Sequence, residues 1–540
     1  MIKTTIITAI LALLTLVCNA ATVNKREVRA VWLTTIGGLD WPHSYAQSGR
    51  SADKQKNELC SLLDKYQKAG INTVLLQTRI RGTVIYPSAY EPWDGCLSGN
   101  PGSSPGYDAL AFAIDECHKR GMELHAWVVT IPVGKWNTYG CTKLRKKYPK
   151  LIKKIGIEGY MDPESSATAD YLTKICEEIT ANYDIDGIHL DYIRYPETWK
   201  LKVSRGQGRR NITAIVRQIS GKVKSIKPWV KMSCSPVGKY DDLARFSSKG
   251  WNANTKVCQD AQAWLREGLM DQLYPMMYFR GNNFYPFAID WAEQCCGKTV
   301  VPGLGIYFLC PKEGNWKIED VTREMYVCRQ YGLGHAYFRG KFLTDNTQGI
   351  YDFAANDFDK YPALVPAMTW IDSIAPAMPN GMRRKGKTIS WNAISENGVT
   401  YNLYASDSYP VDISDGRNLV AARLNRCVAA TDGKKRYYAI TAMDRYGNES
   451  KPLQEVKDEK MRTIVEGLMT CNGKILEMPV LGQGCETNLI AITSIQGNII
   501  TIKKYNKYIN IEDLPCGVYV ARTLNSRGIS HRIGTFVVKR

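Results

Sequence analysis

Between Arg29 and Arg339, short apolar runs rich in β-formers alternate eight times with longer stretches of helical periodicity. The runs are Arg29–Thr35, Asn72–Arg79, Glu123–Val129, Ile185–Asp191, Val230–Ser235, Met270–Tyr278, Thr299–Gly305 and Gly334–Arg339. The segments between them read as helices: 53–69, 107–120, 167–182, 210–226, 259–268, 287–296 and 318–331. In the first of these, Leu59, Leu62, Leu63 and Tyr66 share one face, and Gly70 closes it. Eight strand–helix units in series predict an α/β fold, a closed (β/α)8 TIM barrel. An open dinucleotide-binding sheet would need G-x-G-x-x-G after the first strand, and that motif is missing there.

The chain has 540 residues, too many for one core. Lys3 followed by the apolar run Ile6–Val17 and the small residue Ala20 reads as a signal peptide over 1–20, so the protein is expected to be exported, periplasmic or at the cell surface. A lipoprotein signal on Cys18 is the rival reading. No later stretch is long and apolar enough to span a bilayer, which leaves a soluble or peripherally surface-held protein. The barrel is expected over 25–361. After a turn-rich linker, alternating strands at Thr388–Trp391, Thr400–Ala405 and Arg436–Ala442 predict a small β-sandwich over 369–455. A second β-module follows over 462–540.

The formal net charge is +19, from 71 Lys and Arg against 52 Asp and Glu. No nucleic-acid module accompanies it, so an anionic membrane, an anionic polysaccharide or a solvated basic surface are the readings left. The sixteen cysteines show neither C-x-x-C nor zinc spacing, and no cofactor or metal is expected.

Active sites of such barrels lie at the C-terminal strand ends. Along the fourth strand Gly187, His189 and Asp191 share the face that points inward, and Ile188 and Leu190 share the other. Asp191 therefore crowns the strand as the central candidate carboxylate, expected to be kept ionised by Arg79 and Arg194. Bracing the barrel mouth in an ion pair is its plainer alternative. Asp186 sits at the opposite, structural end. Glu91 and Asp162, both in loops expected at the barrel top, are the candidate catalytic partners. Polar and aromatic groups at the same face are the candidate substrate contacts: Trp32, Asp40, Trp41, Gln77, Arg79, His125, Trp127, His189, Arg194 and Tyr278. Aromatic rings beside carboxylates suit sugars, whose C–H faces stack while hydroxyls hydrogen-bond. The loop after the fourth strand carries Lys200, Lys202, Arg205, Arg209 and Arg210, with Arg209 and Arg210 as candidate contacts to an anionic glycan.

An ordered set of segments gives a family resemblance. Arg29–Thr35, Leu39-Asp40-Trp41-Pro42, Gln77-Thr78-Arg79, Pro105-Gly106-Tyr107-Asp108, Glu123–Trp127, Asp186–Pro196 and Arg209-Arg210-Asn211-Ile212 resemble the glycosyl hydrolase-like 10 family. The resemblance runs from about Lys25 to Tyr361. It implies a TIM-barrel glycoside hydrolase, with members associated with bacterial cell-wall glycan of the peptidoglycan type. The sandwich resembles a fibronectin type III domain, and the last module resembles C-terminal sorting domains of exported Bacteroidetes-type proteins. The fourth strand also resembles the chitinase pattern, but the acid position falls on Ile193 and His189 replaces another carboxylate, so that mechanism does not transfer. A glycosidase needs two carboxyls. The loss of one makes a non-catalytic glycan-binding protein the alternative. A third reading, a metal-dependent hydrolase using His125, His189, His335 and Asp191, lacks the H-x-H that such barrels carry on the first strand.

Overall fold

The computed structural model describes residues 23–248 and 250–454 and, beyond them, 469, 471, 474–478, 489–495, 497–525 and 528–539. The expected signal peptide lies outside the described residues. Two compact units divide the chain after Gln454.

In the first unit a parallel sheet forms from the eight runs. The first five strands are Arg29–Leu33, Thr73–Ile80, Glu123–Val129, Gly187–Asp191 and Lys231–Cys234, each paired with the next. The sixth and seventh are broken in two: Gln272–Leu273 with Met276–Met277, and Thr299–Val300 with Gly303–Leu304. Pro275 and Pro302 fall at the breaks, where a residue without an N–H cannot donate to a ladder. The lower halves of six and seven pair with each other, as do the upper halves. The seventh then pairs with the eighth, His335–Tyr337, and the eighth with the first. The result is an α/β, TIM-barrel-like fold.

The helices begin where side chains can cap them. Ser48 accepts from the Ser51 amide before Gly49–Lys68, Asp108 from Ala111 before Ala109–Lys119, and Ser204 from Gln207 before Arg205–Ile226. This last helix starts five residues earlier than its apolar period suggests. Arg205, Arg209 and Arg210 are therefore helical rather than part of a basic loop, which corrects the loop reading.

The alternation along the strands builds two cores. Ile188, Leu190, Met232 and Cys234 face the helices, in a core shared with Leu59, Leu63, Ile215 and Trp264. Trp32, Leu75, Trp127, Tyr274 and Val301 fill the barrel interior.

Beyond the barrel, Asn380–Lys385, Thr388–Asn392 and Val428–Ala430 form one sheet. Leu419–Leu424, Thr400–Ser406, Tyr437–Met443 and Leu453–Gln454 form another, and Ile389, Trp391, Leu403 and Ile440 fill the space they share. This module is tied into the barrel. Arg423 reaches Glu123 at 2.9 Å and Asp186 at 2.5 Å, and Lys25 reaches Glu449 at 2.5 Å. The second unit holds a four-stranded antiparallel sheet of Ile499–Lys504, Leu489–Ser494, Gly517–Asn525 and Gly528–Val538, over a core that includes Leu476, Ile490 and Phe536. Among the described residues no helix is long and apolar enough to cross a membrane.

Candidate active site

Asp191 ends the fourth strand with its side chain almost fully enclosed. Three donors fix its carboxyl. The Ser235 hydroxyl and the Tyr192 amide donate to Oδ1 at 2.7 and 2.8 Å, and the Trp127 indole N–H donates to Oδ2 at 3.1 Å. Burial nevertheless dominates and lifts its pKa above the ordinary aspartate value, against those donors and the charge of Arg194. Arg194 gives Asp191 no direct contact. It pairs with Glu197 at 2.6 Å and lies 4.6 Å over the ring of Tyr192. Tyr192 itself has φ of 52°, a left-handed conformation unusual for a bulky residue, and is 37% exposed beside the carboxyl. Tyr278 stacks on Phe338 with ring centres 5.0 Å apart, and its hydroxyl is raised well above the usual phenol range by burial and by the charge of Asp191.

The other carboxylates expected on this face are each committed to a cation. Arg79 does not approach Asp191. Its guanidinium grips Glu91 in a bidentate pair at 2.6–3.0 Å, and its remaining N–H groups go to the Val129 and Thr130 carbonyls. Tyr171 adds a hydroxyl to Glu91 at 3.1 Å. Asp162 pairs with Lys153 at 2.5 Å and caps the Glu164 amide. Asp40 receives Thr34, Arg339 and the Lys341 amide. The sequence expectation had Asp191 kept ionised by Arg79 and Arg194. In the fold neither cation pairs with it, and burial raises its pKa instead.

Several candidate contacts serve the frame instead. Gln77 accepts from the Thr35 and Ile36 amides and so pins the loop after the first strand. Trp41 is fully buried and donates to the Gln55 carbonyl. Trp32 sits edge-on to His189, Tyr274 and Phe338 inside the barrel. His189 bonds Ser233 at 3.0 Å, and burial holds its pKa well below the ordinary histidine value, so it is neutral at pH 7. His125 meets Glu123 at 3.3 Å. Arg209 donates to the Asn254 carbonyl and Arg210 to Gln207. Ser235, Tyr192 and Phe338 escaped the sequence reading. Ser235 alone was recoverable, since alternation along Val230–Ser235 puts it on the inward face.

The four groups of the metal reading are not gathered. Among the described residues the one cluster with metal-like spacing is Glu27, His335 and Asp359. Arg29 and Arg329 already neutralise its two carboxylates at 2.6–3.1 Å, which makes it an ion-pair brace that would repel a cation.

A TIM-barrel-like sheet with an enclosed carboxyl at a strand's C-terminal end, beside aromatic side chains, places the candidate site at the face where barrel enzymes hold their reacting groups. The chain belongs to the glycosyl hydrolase-like 10 family, whose model matches residues 27–205 and 205–309. It is 30% identical over 487 residues to the glycosyl hydrolase YngK of Bacillus subtilis, covering 79% of this chain and 92% of that protein. It is also 30% identical to the glycosyl hydrolase DigH of Escherichia coli K12, over 47% of this chain and 66% of that one. Among solved structures it is similar to α-L-fucosidase isoenzyme 2 from Paenibacillus thiaminolyticus, at 16% identity and a TM-score of 0.42, covering 66% and 52% of the two chains.

Proposed function

We propose that the protein is an exported glycoside hydrolase acting on a bacterial cell-wall-type or related polysaccharide, with Asp191 as its central carboxyl. The observation that carries this reading is the setting of Asp191 at the barrel mouth in a chain of a glycosyl hydrolase-like family. A carboxyl raised by burial, with both oxygens oriented, suits proton transfer to a departing sugar oxygen. Asp191 thus takes the part of acid rather than nucleophile. The complementary carboxylate must be ionised. Glu91 has both oxygens taken by Arg79 and Tyr171 in a closed pocket, whereas the Asp162 side chain keeps 11% exposure. Asp162 is the partner of choice.

The substrate proposed is bacterial cell-wall glycan of the peptidoglycan type or a related polysaccharide, and the protein is proposed to be exported to meet it. The two-sheet module following the barrel is proposed as fibronectin type III-like, and the last unit as a sorting-type domain.

One observation favours a second reading, a glycan-binding protein without turnover: two residues beyond Asp191 the chemistry-bearing position holds Ile193, fully buried. Mass spectrometry of products from stripped and intact peptidoglycan separates the two. Soluble fragments lost in Asp191→Asn support hydrolysis. Tight binding with no fragments supports the second reading.

A further inference from the structure

The cleft that opens on the barrel's C-terminal face lies away from Asp191, over the loops that follow the first three strands. It encloses about 650 Å³ and is lined by Gly37, Gly38, Tyr45, Arg81, Asp94 and Tyr139, among others. Gly37 and Gly38 belong to the turn after the first strand, Arg81 follows the second, and Tyr139 opens the helix Tyr139–Lys147 beyond the third. None of these residues touches the carboxyl described above.

The walls are built by close approach. A Cβ on Gly99 would lie 3.1 Å from the Tyr45 ring, and one on Gly102 would collide with the Tyr139 hydroxyl. Two glycines thus leave the room in which the two tyrosine rings pack against the loop. A Cβ on Gly140 would likewise run into the Arg81 carbonyl, so the loops after the second and third strands meet backbone to backbone. Seated this way, Tyr45 and Tyr139 still leave 58% and 39% of their surface open. Arg81 is exposed, and no carboxylate pairs with it among the described residues. Asp94 is turned to the frame, accepting from Thr83 and the Cys96 amide.

An exposed aromatic ring, an uncommitted five-donor guanidinium and glycine-lined walls match a pyranose, which offers one C–H face and several hydroxyls. We infer that this cleft is a distal sugar-binding subsite, holding a residue of the polysaccharide several units from the bond that is cut. Tyr45 stacks on the sugar face and Arg81 donates to its oxygens. This deepens the proposed function and rests on it, since the cleft and Asp191 share the barrel face along which a strand would run.

The test compares long glycan strands, stripped of stem peptides, with a tetrasaccharide from the same polymer. Both are offered to the full chain and to its Tyr45→Ala and Arg81→Ala variants. The expected result is a KM for long strands raised about ten-fold, with kcat on those strands within two-fold. The tetrasaccharide KM moves much less, and Tyr45→Phe restores the long-strand value. Equal KM changes for both lengths, or none for either, overturn the subsite. If the native protein cleaves neither substrate, the hydrolase reading fails. Retardation in gels containing the strands then decides the cleft alone: lost retardation in Tyr45→Ala upholds it, and unchanged retardation overturns it.

Discussion

The indole N–H of Trp127 donates to Oδ2 of Asp191 at 3.1 Å, joining the third and fourth strands at the barrel mouth. The two residues sit on inward faces of neighbouring strands, with Trp127 beside His189 and Asp191 beside Val129 in the ladder. This contact stabilises the anion while burial opposes it, and the balance sets where the carboxyl titrates. Trp127→Phe removes the donor and keeps an aromatic ring in its place. The pKa of Asp191 should rise further, and the alkaline limb of the kcat/KM profile should move to higher pH. An unmoved limb would detach Asp191 from the rate.

Asp191→Asn keeps the shape and most hydrogen bonds. Turnover should fall roughly a hundred- to ten-thousand-fold, the usual share of a positioned proton donor. Circular dichroism and melting on the same preparation check that the fold persists.

The same variant has a pH-dependent stability signature. A folded pKa raised above its unfolded value makes a contribution that is fully present below the ordinary value of 3.8 and lost as pH rises through the folded value. The native protein should therefore lose stability relative to Asp191→Asn across that window. Denaturant melts from pH 3.5 to 8 measure the difference. A constant gap would mean that the buried carboxyl does not titrate upward.

Glu91→Gln leaves the Arg79 guanidinium enclosed without its counter-charge. Breaking a buried pair by removing one partner costs about 3–5 kcal/mol, so the midpoint of urea unfolding should drop sharply. Turnover per folded molecule should stay near native. Collapse of turnover with intact stability would restore Glu91 to the chemistry.

Arg423 joins the module after the barrel to the barrel's lower end. Burial opposes ionisation of Asp186, but Arg423 and His118 override it and hold its pKa well below the usual range. Arg423→Ala strips a counter-charge from both Asp186 and Glu123. It should destabilise the barrel by about 3–5 kcal/mol. A chain ended near Tyr361 should fold poorly for the same reason. A stable, fully active truncation would show that the module only positions the enzyme.

The eight strands were legible in the sequence because alternation and helical period are local properties, carried within a few residues. So was the place of Asp191, since a residue that ends a barrel strand on the inward face can only point into the mouth. The breaks at Pro275 and Pro302 follow from local chemistry as well. What charge each ionisable group carries was not legible. Arg79 chose Glu91 over Asp191, Asp162 fell to Lys153, and Arg423 met Asp186 across 237 positions of chain. A charge buried in a weakly polar interior must find a partner or give up its ionisation. Which partner lies within hydrogen-bond reach depends on how distant loops close over the barrel. The position of each strand along the chain was a local matter, whereas the pairing of strands and the partner of each buried charge were settled only when the tertiary structure brought distant segments together.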